Sequence, residues 1–370
     1  MKTTLTAIRA DIGSIGGHLA PGARSMAAMD AYISQRKGDF VVDYWIGYTG
    51  DDITVLCTHR SGPDFDEVRR LVWNAFTHAA GVAEEDGLYG AGQDVFKEGT
   101  SGVAKGLGPA VAEVEFEERA NEAFLLFSVD KTVPGALNLP LYLAFADPMH
   151  CPGLILSPRM RGGFRFEIMD VAYREYDRMI SLDAPEELYS IAALLRDPER
   201  FAIRGVFSRS TGEQAVAVST TRVHNVSGIL LGKNDPVAVV RVQDAFPASG
   251  EVLEPYGLGP FVGGFMRGSL YGPLMPVRLD TGVSYLDGPP VVSCAAFSLR
   301  QGRLTPPVDA FDHPFWDSTR HRISEKAIEI RRQGFFSNAM LPYESLAYGG
   351  IVKILRELDE RFVVEKPSGS

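Results

Sequence analysis

Cysteine is scarce: the 370-residue chain has three, Cys57, Cys151 and Cys294, widely spaced and without a CxxC pair. An odd, scattered set excludes a disulfide framework and a cysteine-based zinc site. It is expected of buried free thiols in a reducing, cytoplasmic compartment. Long apolar runs are missing too, and nothing reaches the roughly 20 residues that cross a bilayer. Residues 1–13 alternate polar and apolar side chains and carry Asp11, where a secretory signal would need an unbroken apolar core. Positive charge is in deficit, with 37 Lys and Arg against 47 Asp and Glu, a net charge of −10. A general nucleic-acid surface needs clustered cations and is excluded. A phosphorylated small molecule held through metal ions is not. Lysine is the sparsest cation: nine of the 37 are lysine, and Lys233 is the only one between Lys131 and Lys326.

What is present is an ordinary globular composition, 45% hydrophobic and 23% charged. There is no repeat and no low-complexity linker, and Lys366–Ser370 reads as a tail. Alternation predicts strands at Thr3–Arg9, Asp39–Tyr48, Ile53–His59, Val111–Glu118, Phe124–Val129, Phe164–Val171, Arg204–Ser208, Ala215–Thr220, Val237–Gln243 and Val291–Leu299. Helical spacing predicts Arg24–Gln35, Asp64–Ala83 with Asp64 as N-cap, Glu186–Leu195, Asp317–Arg332 and Tyr343–Leu358. The last should bury Ile351, Ile354, Leu355 and Leu358. Strands and helices do not alternate strictly, so the fold class is α+β, with antiparallel or mixed sheets covered by helices.

Short polar motifs sit beside glycine where strands should end. They are Asp11-Ile12-Gly13 with Gly17-His18, Gly50-Asp51-Asp52, Tyr89-Gly90-Ala91-Gly92-Gln93-Asp94 and Asp130-Lys131-Thr132. Further along come Gly232-Lys233-Asn234-Asp235, Met266-Arg267-Gly268-Ser269 and Asp287-Gly288. Each alone is a common turn. Together they offer carboxylates that can converge, and adjacent aspartates such as Asp51 and Asp52 can serve two ions. Hard oxygen ligands suit Mg²⁺ or Mn²⁺ rather than zinc. Lys233 could form a Schiff base with a ketone, or simply an ion pair with Asp235.

These motifs resemble those of the archaeal-type fructose-1,6-bisphosphate aldolase/phosphatase family. The likeness runs from Thr3 to about Phe362. It includes Gly106-Leu107-Gly108-Pro109, Glu117-Glu118-Arg119, Asn138-Leu139-Pro140-Leu141-Tyr142, Phe145-Ala146-Asp147-Pro148 and Gly272-Pro273-Leu274-Met275-Pro276. The resemblance implies one catalytic domain over residues 1–365, a four-layer α-β-β-α sandwich and a homo-octamer in gluconeogenesis. Two reactions would share its site. A lysine Schiff base joins two triose phosphates, then two to three Mg²⁺ ions drive hydrolysis of the 1-phosphate. It places metal ligands at Asp11, His18, Asp51, Asp52, Gln93, Asp130, Asn234 and Asp235. Lys233 is the implied Schiff-base residue, with Asp11 and Tyr348 also catalytic. Substrate contacts fall at His18, Tyr89, Ser101, Gly102, Lys131, Gln243, Arg267, Asp287 and Tyr348.

Three positions depart from the family. Leu230 stands where it has an acid/base tyrosine, Asn234 where it has an aspartate, and Leu270 where it often has a histidine. Leucine cannot move a proton, and an amide carries no charge for a metal. The expectation is therefore a Mg²⁺-dependent sugar-bisphosphate phosphatase with weakened or lost aldolase activity. The alternatives are a Schiff-base aldolase or phosphatase repurposed for another ketose phosphate, and a non-catalytic sugar-phosphate binder. No nucleic-acid or membrane partner is expected.

Overall fold

Two-residue alternation sets the architecture. Strand β1 (Lys2–Asp11) is buried from Thr3 onward, with Ile8 and Ala10 in one apolar cluster and Leu5 and Ala7 in another. A strand buried on both faces lies between two covers. The computed structural model describes residues 1–370 except 17, 93–94, 96–109, 174–176, 221–223, 227–228, 232–234, 265–269, 284–288, 333–349 and 366–370.

After β1 come α1 (Ala23–Arg36), the hairpin of β2 (Val41–Thr49) and β3 (Asp52–His59), α2 (Asp66–Glu85) and β4 (Ala110–Glu117). The four strands form an antiparallel sheet in the order β2-β3-β1-β4. The helices cover one face. Met29 and Ile33 of α1 and Val68, Val72, Phe76 and Ala79 of α2 pack on Ile8, Ala10, Ile53 and Val55. Each large side chain so buried contributes about 1.5–3 kcal/mol.

A larger sheet follows, with eleven strands among the described residues. Its main members are β5 (Glu122–Asp130), then after α3 (Asn138–Ala146) β6 (Phe164–Asp170) and β7 (Asp177–Ala184). Beyond α4 (Leu188–Leu195) come β8 (Phe201–Ser208), β9 (Gln214–Val218), β10 (Val237–Val242) and β11 (Val291–Arg300). Helices α5 (Pro314–Arg332) and α6 (Gly350–Asp359) precede β12 (Val363–Glu365). The order is β11-β5-β10-β9-β8-β6-β7-β12, these eight antiparallel, with the short edge strand Met275–Pro276 parallel to β11. One face packs on Leu141 and Phe145 of α3, Ile191 and Leu194 of α4, and Trp316 of α5. Its other face meets the small sheet. Leu5, Leu56, Val114 and Phe116 pack there against Phe124, Leu126, Val239 and Phe297. Helices interspersed with antiparallel strand pairs, without strict βαβ alternation, make this the expected α+β class, and all three cysteines are buried and free.

Several local expectations need correction. Asp64 is not a helix cap: it has φ +62, and α2 starts after Phe65 with Asp66 and Glu67 facing its N-terminal dipole. The predicted burial of α6 holds fully for Leu358, while Ile351 and Leu355 are half-buried and Ile354 is 37% exposed. The preceding stretch 343–349 lies outside the described residues. Helix α3 escaped notice because it is apolar all round and shows no 3.6-residue stripe.

Candidate metal centre

The faces that meet between the sheets change character along their length. On β1 the stripe reads Leu5, Ala7, Arg9, Asp11; on β3, in reverse, Leu56, Thr54, Asp52; on β5, Phe124, Leu126, Ser128, Asp130. The apolar layer gives way to hydroxyls, with Thr54 Oγ1 and Ser128 Oγ 3.0 Å apart and Thr49 Oγ1 and Ser293 Oγ 2.6 Å apart. It ends in carboxylates. Asp11 is the last residue of β1 and pairs directly with Asp52, the first of β3. Asp130 is the last of β5. These three are strand termini, not the loop residues that their glycine neighbours suggested.

Loops complete the cluster. Gly50 and Asp51 form the two-residue turn between paired Thr49 and Asp52, with Gly50 at φ +64. Asp235 lies two residues before β10, and its Oδ1 accepts a hydrogen bond from Thr132 N at 2.7 Å. Gly13 N donates to Asp11 Oδ1 at 2.9 Å. His18 Nδ1 is 2.6 Å from Asp51 Oδ2. The Lys131 ammonium donates to Asp51 Oδ1 and reaches Asp130 Oδ1 at 3.2 Å. His18 and Lys131 both hold left-handed φ, +74 and +60. For non-glycine residues that conformation costs about 1–3 kcal/mol and persists only where the surroundings enforce it.

Five carboxylates therefore meet two permanent cations, Lys131 and Arg9, and four of the five, Asp11, Asp51, Asp52 and Asp130, are buried. The imbalance shows in their protonation. Burial, with Asp51, Asp235 and Asp52 adding to it, pushes the Asp130 carboxyl well above the usual range against the pull of Lys131. Burial and Asp52 likewise raise Asp235, opposed by Arg9 and Lys131. Burial alone would raise Asp51, but the His18 hydrogen bond and Lys131 override it and hold that carboxyl low. His18 is raised by its hydrogen bond to Asp51, burial opposing. Burial works against the Lys131 ammonium, yet Asp130, Asp51, Asp52 and Asp235 keep its pKa well above the ordinary value.

The donors fit a hard divalent cation. Candidate ligand atoms of Asp11, His18 and Asp51, and of Asp51, Asp52 and Asp130, lie within 4.8 Å of one another in each group. Asp130 Oδ2 is buried with no hydrogen-bond partner among the described residues, and only a glycine at 50 leaves room beside it. The all-carboxylate group, Asp51, Asp52 and Asp130, suits Mg²⁺ or Mn²⁺.

Other predicted residues are placed less centrally. Tyr89 is paired through its backbone with Ser14, is 60% exposed, and turns its ring edge-on to His18 at 4.9 Å. Gln243 stands apart in a single chain. It follows β10 at the end away from Asp235, with φ +67, and the structure does not bring it to this cluster within one chain. Gln93, Ser101, Gly102, Lys233, Asn234, Arg267, Asp287 and Tyr348 lie outside the described residues. Leu230 is in a short strand, Ile229–Leu231, opposite Asn225, and Leu270 opposite Gly264. Sequence reasoning missed Arg9, although the two-residue step back from Asp11 on a buried strand points at it.

A family profile described as fructose-1,6-bisphosphatase matches residues 2–363. The chain belongs to the fructose-1,6-bisphosphatase family. Among relatives, the fructose-1,6-bisphosphate aldolase/phosphatase of Thermus thermophilus is 51% identical over 362 residues, 98% of this chain and 100% of the relative. Proteins of the same description from Ignicoccus hospitalis and Methanothermobacter marburgensis are 44% and 41% identical, each over 98% of this chain and over 93% and 99% of their own length. The family match spans the whole acid cluster, from Asp11 to Asp235. Among the described residues no helix is long and apolar enough to cross a membrane.

Proposed function

We propose that this fructose-1,6-bisphosphatase family member is a divalent-metal-dependent phosphatase of fructose 1,6-bisphosphate. The supporting observation is the convergence of Asp11, Asp51, Asp52, Asp130 and Asp235 on a site with two permanent cations. Like charges at that density are costly without counter-ions. Two to three Mg²⁺ ions, or Mn²⁺, would be held by these aspartates with His18, Gln93 and Asn234. Bound there they would polarise a phosphoryl group and lower the pKa of a water.

The chain's own groups prepare that chemistry. Gly13 N fixes Asp11 Oδ1. Asp51, held low, stays ionised over the physiological range. The Lys131 ammonium stands beside the carboxylates where a substrate phosphate would need a cation. Arg267, Ser101, Gly102, Tyr89 and Asp287 would take the second phosphate and the sugar hydroxyls. Gln243 could serve only the site of a second copy, in keeping with the homo-octamer that the family resemblance implies. The apolar clusters on either side of and between the sheets support a single-domain four-layer α-β-β-α sandwich. The reading places the enzyme in the cytoplasm, in gluconeogenesis.

Lys233 is proposed as a Schiff-base lysine, with Tyr348 or Tyr89 as proton carrier. Leu230 favours a second reading, in which the site works on a different ketose phosphate. Phosphate release from fructose 1,6-bisphosphate, stopped by EDTA and restored by Mg²⁺, is the expected result. Full release in EDTA would overturn the metal assignment, and faster release from another ketose phosphate would favour the second reading.

A further inference from the structure

Arg9 is fully buried at the floor of the acid cluster, two residues before Asp11 on the same face of β1. Its guanidinium touches both sheets. From the small sheet it meets the carbonyl of Thr49, to which Nη2 donates at 3.1 Å, and Asp52 Oδ2 at 3.2 Å from Nη2. From the large sheet it meets the carbonyl of Asp235, to which Nη1 donates at 3.0 Å, and Asp130 Oδ1 at 3.7 Å. Two carboxylates and two carbonyls, from the 49–52 turn, the end of β5 and Asp235, thus converge on one planar cation. A guanidinium stays charged at any working pH and donates in a fixed fork. It neutralises part of the cluster permanently and leaves the rest for an exchangeable ion. In the sequence Asp235 follows directly on Gly232-Lys233-Asn234.

We propose that Arg9 is a positioning residue. It acts as a built-in counter-cation that fixes Asp52, Asp130 and the backbone at Asp235 in the arrangement a divalent cation needs. The proposal rests on the metal-site reading above. A lysine at this position would keep the charge, but its single ammonium cannot span donors directed at Thr49 and at Asp235 together.

The test compares wild type with Arg9→Lys and Arg9→Gln. Mn²⁺ binding to the substrate-free protein is measured by calorimetry, and the Mg²⁺ dependence of phosphate release from fructose 1,6-bisphosphate alongside it. Losing a partner that orients ligands typically weakens metal binding about 10–100-fold. Arg9→Lys should therefore weaken Mn²⁺ binding at least about tenfold. The Mg²⁺ needed for half-maximal release should rise by the same factor, with KM for the sugar at saturating Mg²⁺ unchanged. A merely structural arginine would lower thermal stability and leave the Mn²⁺ constant alone; that result overturns the proposal. If Arg9→Gln fails to fold, Arg9→Lys carries the decision. Should wild type bind Mn²⁺ yet release no phosphate, the activity reading fails while calorimetry still decides Arg9. Should wild type bind no Mn²⁺, both fail together.

Discussion

A Cβ built on Gly50 would lie 1.6 Å from Oδ2 of Asp130. The turn that joins β2 to β3 and the last carboxylate of β5 come from different sheets, and they approach this closely only because position 50 has no side chain. Gly50 is tied down as well, its N–H donating to Thr281 O at 2.9 Å.

Gly50→Ala should therefore cost more than its backbone conformation explains. The left-handed φ of +64 accounts for about 1–2 kcal/mol with an L residue. The remainder comes from displacing Asp130. Gly87→Ala supplies the comparison, since Gly87 has φ +66 and nothing within 4 Å of an added Cβ. Thermal unfolding should rank Gly50→Ala clearly below Gly87→Ala. Metal-dependent phosphate release should fall roughly 100-fold in the first, as for a disturbed ligand set, and stay near wild type in the second. Equal behaviour of the two variants would show that the Asp130 approach does not matter.

Asp130 itself sets a pH dependence of unusual sign. Its folded-state pKa is raised by burial and by the neighbouring Asp51, Asp235 and Asp52. A raised carboxyl binds its proton more tightly folded than unfolded. The stability this gives is fully present below the unfolded value and is lost as pH rises through the folded one. In EDTA at pH 8, Asp130→Asn should accordingly unfold at a higher temperature than wild type, and the gap should close as pH falls toward 4. With Mg²⁺ the order should invert, because the variant has lost a ligand. A variant less stable than wild type in EDTA at pH 8 would contradict this account.

The opposite end of β5 shows what a fully matched charge looks like. Glu122, the first residue of the strand, is buried against Arg241, whose Nε and Nη2 donate to its two oxygens at 3.0 Å each, and Arg119 is its second cationic partner. Burial would raise its pKa, but the hydrogen bonds from Arg119 and Arg241 lower it. The stabilisation is therefore present above the usual glutamate range and lost as pH falls through the lowered value. Glu122→Gln removes the buried counter-charge of Arg241 and leaves it only the partly exposed Glu213, 3.3 Å from Nη2, and should destabilise by about 3 kcal/mol. Denaturant unfolding at pH 7 measures it. Mn²⁺ affinity of the folded fraction should not change, and a weakened Mn²⁺ constant would mean that the two ends of β5 are not independent.

Much of this was legible in the sequence because alternation is a local signal. The stripe Phe124, Leu126, Ser128, Asp130 passes from apolar to charged within one strand, and Asp51-Asp52 after Gly50 marks a hairpin with two adjacent candidate ligands. What was not legible is which distant segments meet. Arg9 looks like an ordinary polar residue in an alternating strand, and only the packing of two sheets puts Thr49, Asp52, Asp130 and Asp235 around it. Gln243 shows the converse: a likeness to a family assigns it to the site, and within one chain the run of β10 carries it to the end of that strand away from Asp235. Helix α3 hid because burial on most sides erases the amphipathic stripe.

Leu230 lies in the strand Ile229–Leu231, three residues before Lys233. Aldol condensation needs proton transfer at the carbon that forms the new bond and at the resulting alkoxide. A positioned acid/base group typically accelerates such a step about 10²–10⁴-fold. Leucine offers no proton, so the present chain should condense dihydroxyacetone phosphate with glyceraldehyde 3-phosphate slowly while hydrolysing fructose 1,6-bisphosphate well. Leu230→Tyr should raise condensation by about 10²-fold or more and leave phosphate release within about twofold. Borohydride trapping with dihydroxyacetone phosphate, followed by peptide mapping, separates the causes. An adduct on Lys233 in both proteins, with faster condensation only in the tyrosine variant, locates the defect in proton transfer. No adduct in either would remove Lys233 from the chemistry and leave hydrolysis as the site's single reaction.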